Sequence, residues 1–597
     1  MPWSHVRRGI VGSDKAVRRD AADSATAQSS LARLGAEGRG AVGSLRPWHV
    51  AILAAALVVA VLVLQGLSGA RGANFASDAS GHYVSSLLIH DYLLVWPLQH
   101  PLKYLANYHA HYPVVGLGTW PPLYYTITAG WMLLFSTSQS SVIILSALAT
   151  TATALLLAAQ AARRVPGMGL RLAWGLAAGL AFVCMPVVQE ASGSLMLDVP
   201  VTLMCLAAVL AYADFLDTGR WRSALLFGLF ASAGLLFKGS AGALALVPPL
   251  ALLLGRRLHF VLRPAFWSSA VVVLLLAGPW YLATFHRSEA GFSLELGWDY
   301  WSRAVRFDLR AVYEGVGPLL CGLAVVRILR LCLPSGHRSR SVDVAAAALA
   351  LSVIPFHLAV PVDLQARYML PMMAAVILLA FNEAAEIVGQ LAARWQGSDG
   401  ERRAGLPWAI GVLVMALPAL VGVMHISPAN HGGMLEAVQQ AMRALPAGNP
   451  VILAVTDPEG EAEAISGVAR LDEDRPRVFV VRGSRLFGDP ASAGYLNTDY
   501  RQRFASPEEL LGEIERYGIP VMVFRRSRRA GPDWGHLEQI EALLRSQPER
   551  WEEIGRTGEG VLTTTIYRIR SHENRQADQA ALRRLSGPRG LQAHLDP

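Results

Sequence analysis

The chain has 597 residues, 53% of them hydrophobic and 16% charged, where an average soluble domain carries about a quarter charged. A core of this size does not need so much apolar residue, so the excess faces lipid and a wholly soluble protein is excluded. The net charge of +8 sits in short arginine-rich runs between apolar segments, the pattern of cytoplasmic loops rather than of a nucleic-acid surface.

Residues 1–47 are polar and rich in Arg, Ala, Ser and Gly, and read as a disordered cytoplasmic tail. From Trp48 to about Met424, apolar stretches recur at near-spanning length. They predict a polytopic α-helical domain over 48–426, with spans near 48–68, 141–162, 172–190, 199–216, 222–237, 240–256, 265–284, 312–331, 343–361, 368–388 and 406–424. The segment 120–138 is ambiguous, because counting it as a span moves every later loop to the other side. The arginines decide. With 120–138 at the outer interface, Arg163, Arg164, Arg171, Arg220, Arg222, Arg256, Arg257, Arg263, Arg327, Arg330, Arg338, Arg340, Arg394, Arg402 and Arg403 fall inside, beside Arg7, Arg8, Arg18 and Arg19 of the tail. The expectation is about eleven crossings, N-terminus inside and C-terminus outside. Outer loops then cover about 69–119, a tight turn at Asp198, and about 285–311, with outer tips at Lys238 and Arg367.

After the last span the pattern changes to a soluble α/β domain over 430–572. Val451–Thr456, Val478–Val481, Val521–Phe524 and Val561–Ile569 read as strands, and 459–470, 506–517 and 536–546 as helices. No GxGxxG, P-loop or HExxH is present, so no nucleotide or zinc claim follows. Residues 573–597 are polar and read as a disordered tail. The four cysteines, Cys184, Cys205, Cys321 and Cys332, lie in or beside apolar segments with no CxxC pair and read as buried free thiols.

Several outer-face residues carry chemistry. Asp78 follows the first span by about ten residues; a solvated acid or helix N-cap is the plain alternative. Asp198 lies between two apolar helices with almost no loop, where an acid is costly without a partner or a task; capping the helix at Val199-Pro200 is compatible with either. Lys238, one of only three lysines beside Lys15 and Lys103, sits at a helical turn. There it either snorkels to headgroups or holds a phosphate. Arg367-Tyr368 opens a span, as an interfacial anchor or a phosphate contact. His82, His109 and His111, with Asp78, offer ligands for a divalent metal, but their spacing matches no standard motif.

Taken in order, Asp78, Trp120-Pro121-Pro122-Leu123-Tyr124-Tyr125, Asp198, Phe237-Lys238-Gly239 and Arg367-Tyr368-Met369-Leu370-Pro371 resemble the GT-C integral membrane glycosyltransferases. The likeness runs toward the protein-mannosyltransferase and lipid A aminoarabinose-transferase group, including its rhizobial galacturonosyltransferase-like branch, and covers roughly residues 48–390. It implies a polyprenyl-phosphate-linked sugar as donor and transfer to a glycolipid, glycan or protein acceptor on the outer face of a bacterial cytoplasmic membrane. Asp78 and Asp198 match the two loop acids of the family, Asp78 as the base. Lys238, Arg367 and Tyr368 match positions near the donor phosphate. His82, Tyr83, His109, Tyr124 and Tyr125 would line the substrate pocket. Two positions depart from the family pattern. Ala79 stands where a second acid often follows the first, and Trp120 stands where a lysine often precedes Pro-Pro-Leu-Tyr; Lys103 is the candidate substitute. Direct displacement would invert the anomeric centre. The competing class is a multispan lipid or polysaccharide transporter, which would show internal repeats and Gly/Pro-interrupted helices near the bilayer midplane; no repeat is seen, and the marked polar residues lie at the outer face.

Overall fold

A computed structural model describes residues 45–289, 295–333, 340–395, 401–429, 432–489, 500–526, 534–570 and 577–586. Most of the N-terminal tail and Arg338 lie outside the described residues, and so do the side chains of Arg402 and Arg403.

Among the described residues six helices are long and apolar enough to span a bilayer alone: Pro47–Leu67, Gln139–Ala162, Asp198–Thr218, Ser341–Ala359, Ala366–Trp395 and Gly405–Val423. Three bent pairs raise this to nine: Met168–Val183 with Pro186–Ser192 (73°), Pro264–Leu276 with Gly278–Thr284 (44°), and Trp298–Val316 with Pro318–Cys332 (113°). The apolar helices Trp221–Phe237 and Gly239–Leu254 are shorter. Each expected span therefore has a helical counterpart; length and composition by themselves account for six to nine crossings, and the two shorter helices make up the rest of the expected eleven. The ambiguous segment forms a helix over Leu123–Leu134, about 18 Å long at 1.5 Å per residue and too short to cross.

Buried polar groups tie the bundle together where the hydrophobic effect cannot discriminate between helix and lipid. Gln65 Nε2 donates to the carbonyls of Ser192 (2.7 Å) and Ile143 (3.2 Å), and Gln189 Nε2 to those of Cys184 (2.7 Å) and Gly422 (3.0 Å). Gly422 is required at that crossing, since a Cβ there would stand 2.0 Å from the Cys184 carbonyl oxygen.

The charges separate to two ends. At one end Asp343 is fully buried and takes Arg164 at 2.6 Å, Asn382 Nδ2 at 2.8 Å, and Arg327. Arg327 continues to Glu383 (3.3 Å) and Glu386, and Arg330 meets Glu383 at 2.7 Å. Arg257 closes the group by donating to the Leu216 carbonyl and to Ser341 Oγ. The Asp198–Thr218 helix, about 32 Å long at 1.5 Å per residue, runs from this end to the opposite one, where Asp198 lies.

The soluble domain rests on that opposite end. Its five-stranded sheet has the order β2-β1-β3-β5-β4, with β1 Val451–Val455, β2 Phe479–Arg482, β3 Val521–Phe524, β4 Trp551–Thr557 and β5 Thr564–Ile569. β1 pairs in parallel with β2 and β3, and the β3-β5 and β5-β4 pairs are antiparallel. Helices Pro458–Leu471, Pro507–Arg516 and Gly535–Ser546 flank the sheet.

Three expectations are corrected. The first outer segment is mostly helical, as Ser77–Val95 and Pro101–His111. Within the stretch expected to be disordered after 573, Gln579–Ser586 is a helix that buries Leu582. The thiols are not uniformly buried: Cys184 and Cys205 are, Cys321 is half-buried and Cys332 is exposed.

Candidate active site

Asp78 is the second residue of the Ser77–Val95 helix. The preceding Ser77 has φ 52°, the left-handed region that non-glycine residues rarely adopt and that is held only when surrounding structure fixes it. Asp198 is the first residue of its helix; its Oδ1 accepts from Lys238, and its Oδ2 has no hydrogen-bond partner among the described residues. Its carboxylate sits where a helix N-terminus favours negative charge and turns toward a cation instead of its own backbone. Lys238 occupies the extended residue between Trp221–Phe237 and the 3-10 turn Gly239–Leu246. Arg367 lies on a one-turn 3-10 helix, Ala366–Met369, just before Leu370–Trp395.

These four residues, distant in sequence, form one chain of charges. Lys238 Nζ donates to Asp198 Oδ1 at 2.7 Å, Arg367 Nε stands 3.6 Å from Asp198 Oδ2, and Arg367 Nη2 bonds Asp78 Oδ2 at 2.5 Å. Two cations balance two carboxylates. Asp198 is 3% exposed, whereas Asp78, Arg367 and Lys238 keep 13–17% of their side chains accessible. The cluster is therefore shielded but open to a ligand. Tyr368 lies beneath the cations, its ring centroid 4.3 Å from Lys238 Nζ and 5.6 Å from Arg367 Cζ.

His82 lies one turn along the helix from Asp78. Its Nδ1 is 2.9 Å from the Tyr125 hydroxyl and its ring meets Trp120 edge-on at 4.9 Å. Burial pushes its pKa down to about 3, and the Lys238 charge acts in the same direction; His82 is therefore neutral at ordinary pH. Trp120 folds over Gly116, where a Cβ would collide with the indole at 2.4 Å. Tyr124 packs edge-on against Phe237, the neighbour of Lys238, at 5.5 Å between centroids.

Other candidate residues lie elsewhere. Tyr83 donates to the Thr137 carbonyl at 2.7 Å, and Lys103 is exposed at the start of Pro101–His111, where no ion pair joins it to the cluster among the described residues. His109 lies on the same helix. His111 stacks on Phe479 of the soluble domain, with centroids 3.7 Å apart. The histidines and Asp78 do not converge, and among the described residues no three His, Cys, Asp or Glu side chains are grouped to hold a metal.

The junction with the soluble domain is built on a buried acid whose role the sequence does not reveal. Asp91 receives Arg475 (Nε to Oδ2, 2.8 Å), Tyr108 (3.0 Å) and His90 (2.7 Å). Burial opposes its charge, yet the bonds from His90 and Arg475 prevail and hold its pKa below the usual carboxylate range. Nearby, Tyr112 donates to Asp472 at 2.6 Å, Asn74 to the Glu463 carbonyl at 3.0 Å, and Ser466 to the Phe75 carbonyl at 3.0 Å. The last two anchor the segment leading into Asp78. A cavity of about 590 Å³ opens at the same junction, its walls including Asn74, Glu436, Gln440, Glu463 and Glu559.

Comparison with known proteins bears on the fold that carries this site. The fold is that of the GT-C glycosyltransferases. A family model described as dolichyl-phosphate-mannose-protein mannosyltransferase matches residues 119–282, a segment that holds Asp198 and Lys238 but not Asp78 or Arg367. Crystal structures of ArnT from Cupriavidus metallidurans superpose in the apo state (TM-score 0.54, 15% identity) and bound to undecaprenyl phosphate (0.53, 14%). Each match covers 87% of this chain and 99% of ArnT. Archaeal oligosaccharyltransferase AglB from Archaeoglobus fulgidus, in complex with an inhibitory peptide and a dolichol-phosphate, superposes with TM-score 0.51 and 12% identity over 81% of this chain and 69% of AglB. A search of curated protein sequences finds no match. The GT-C resemblance read from the sequence is thus borne out at the level of the fold, with the family-model match over residues 119–282 beside it.

Proposed function

We propose that the chain is a glycosyltransferase moving a sugar from a polyprenyl-phosphate donor to an acceptor at the outer face of a bacterial cytoplasmic membrane. The observation that carries this reading is the neutral chain Asp78, Arg367, Asp198 and Lys238, gathered at one end of the bundle beneath the soluble domain. Its place at one end, away from the midplane, favours surface chemistry over transport. The arginine cluster at the other end supports a cytoplasmic assignment for that end, which makes the soluble domain extracytoplasmic.

In this reading Lys238 and Arg367 bind the donor phosphate, and Asp78 is the base. The acceptor hydroxyl or amine attacks the anomeric carbon from the side opposite the phosphate. The new bond forms as the carbon–oxygen bond to phosphate breaks. The electron pair departs with polyprenyl phosphate, whose growing charge the two cations stabilise, and the acceptor proton passes to Asp78. The configuration inverts. Before donor arrives, Arg367 engages Asp78; a phosphate that draws the guanidinium toward itself frees the carboxylate to act. Asp198 holds both cations in place. The junction cavity, lined by carboxylates and amides that suit hydroxyl groups and repel phosphate, is the natural seat for a glycan acceptor.

The test is transfer by the purified protein in vesicles, with polyprenyl-phospho-sugars and candidate glycolipid, glycan and peptide acceptors. Labelled sugar in the acceptor, with release of polyprenyl phosphate, supports the reading. Movement of intact donor across the bilayer without any transfer would replace it with a flippase.

A further inference from the structure

A second pair of titratable side chains stands behind the cluster, and neither member touches its four charged residues. His357 Nδ1 lies 2.8 Å from Asp308 Oδ2 and 3.0 Å from Oδ1. The Asp308 side chain is 0% exposed and that of His357 5%. Asp308 lies on the bent helix Trp298–Val316, and His357 is two residues from the end of Ser341–Ala359. Tyr300 fixes the chain here by donating to the carbonyls of His357 (2.8 Å) and Val360 (3.1 Å). A carboxylate buried this completely is costly unless a partner holds it. The far nitrogen, Nε2, has no hydrogen-bond partner among the described residues, so the hydrogen bond that orients the ring is the one to Asp308.

The oriented ring meets two aromatic rings edge-on, Tyr300 at 87° with centroids 6.5 Å apart and Tyr368 at 90° with centroids 6.0 Å apart, and the Tyr368 ring carries the Lys238 ammonium at 4.3 Å. The contacts run in sequence from Asp308 to His357, Tyr368 and Lys238. An aromatic face attracts an ammonium without consuming its N–H donors, so Lys238 keeps them for a carboxylate or an arriving phosphate. A tyrosine at the mouth of a bundle has freedom about χ1 unless a neighbour restricts it.

We propose that Asp308 and His357 are positioning residues for the donor phosphate, fixing the Tyr368 ring on which Lys238 is seated. The inference rests on the glycosyltransferase reading and extends it to two residues outside the charged cluster.

The experiment measures KM for the polyprenyl-phospho-sugar and for the acceptor separately, in wild type and two double variants. His357→Ala with Asp308→Asn removes the ring without stranding a charge. Its donor KM rises about tenfold, the scale of one cation–π seat, while acceptor KM is unchanged. His357→Phe with Asp308→Leu restores a ring edge and fills the space; donor KM returns to within about threefold of wild type. Should the first variant fail to insert, His357→Gln carries the same expectation as that variant, because its amide still bonds Asp308 but presents no ring. An unchanged donor KM without the ring, or donor and acceptor KM rising together, overturns the proposal. Absence of transfer by the wild type would instead overturn the glycosyltransferase reading.

Discussion

Arg367 and Asp78 meet at 2.5 Å across 289 residues of sequence. The contact joins the first outer segment to the turn before the Leu370–Trp395 helix, and it places a proposed base directly on a proposed phosphate ligand. The same guanidinium lies 3.6 Å from Asp198. In the proposed function, Arg367 is therefore the residue through which donor binding and base availability are coupled.

That coupling makes Arg367→Lys a severe change. Lysine keeps the charge but offers a point donor in place of a planar fork, so it cannot serve Asp78, Asp198 and a phosphate together. We expect kcat/KM for transfer to fall about 100-fold, the scale of a lost charge-stabilising donor, with little loss of folded protein. Steady-state kinetics beside size-exclusion profiles check both parts.

Lys238→Met leaves Asp198 buried without its 2.7 Å partner. Removing one partner of a buried pair costs about 3–5 kcal/mol, and the thermal unfolding midpoint in detergent should fall. Adding Asp198→Asn should recover much of that stability and none of the activity. Recovery of activity in the double variant would assign the pair to folding alone.

Arg475→Ala should loosen the soluble domain by taking the arginine partner from Asp91 on the Ser77–Val95 helix, leaving that acid the bonds from His90 and Tyr108. The Arg475–Asp91 pair is 13% and 9% exposed, so the cost is again about 3 kcal/mol. Limited proteolysis near residue 430 should become faster in the variant.

The same junction should weaken in acid. His111, stacked on Phe479, has its pKa pushed down to about 4 by burial. The separated state therefore binds a proton that the docked state refuses. Its contribution is complete above the ordinary histidine value of about 6.5, declines as pH falls and levels off near 4. Asp91, held low by His90 and Arg475, adds a loss at still lower pH, as its carboxylate protonates. Proteolysis rates from pH 7 to pH 4 read the first effect, and His111→Phe should flatten that part of the profile.

Much of the fold is legible in the sequence because its signals are local. Apolar runs locate the helices, and Val521–Phe524 reads as a strand in the residues that form it. Strand β4 is missed because Trp551–Thr557 carries two glutamates and an arginine and has a register shift between Glu553 and Gly555, the marks of a protected edge strand. The helix Ser77–Val95 is missed because Ser, His and Asp interrupt its apolar pattern; it is buried against both the bundle and the soluble domain, so its polar residues face partners rather than water. The acids and cations of the cluster could be singled out by their cost at the membrane edge. Their pairing could not, since Asp78 and Arg367 come together only through the packing of the whole bundle. Asp308 and His357 give no local signal either. A histidine near a helix end and an aspartate in an amphipathic helix are ordinary until the structure buries both and joins them.

The central claim is that Asp78 removes the acceptor proton. The most direct test compares wild type with Asp78→Asn in vesicles, supplied with polyprenyl-phospho-sugar and acceptor, with donor binding measured alongside. Asparagine retains a hydrogen-bond acceptor for Arg367 but is not a base. The account predicts that donor binding stays within about threefold of wild type, while kcat falls 10²- to 10⁴-fold, roughly the contribution of a positioned general base. Transfer at an undiminished rate by Asp78→Asn would contradict it.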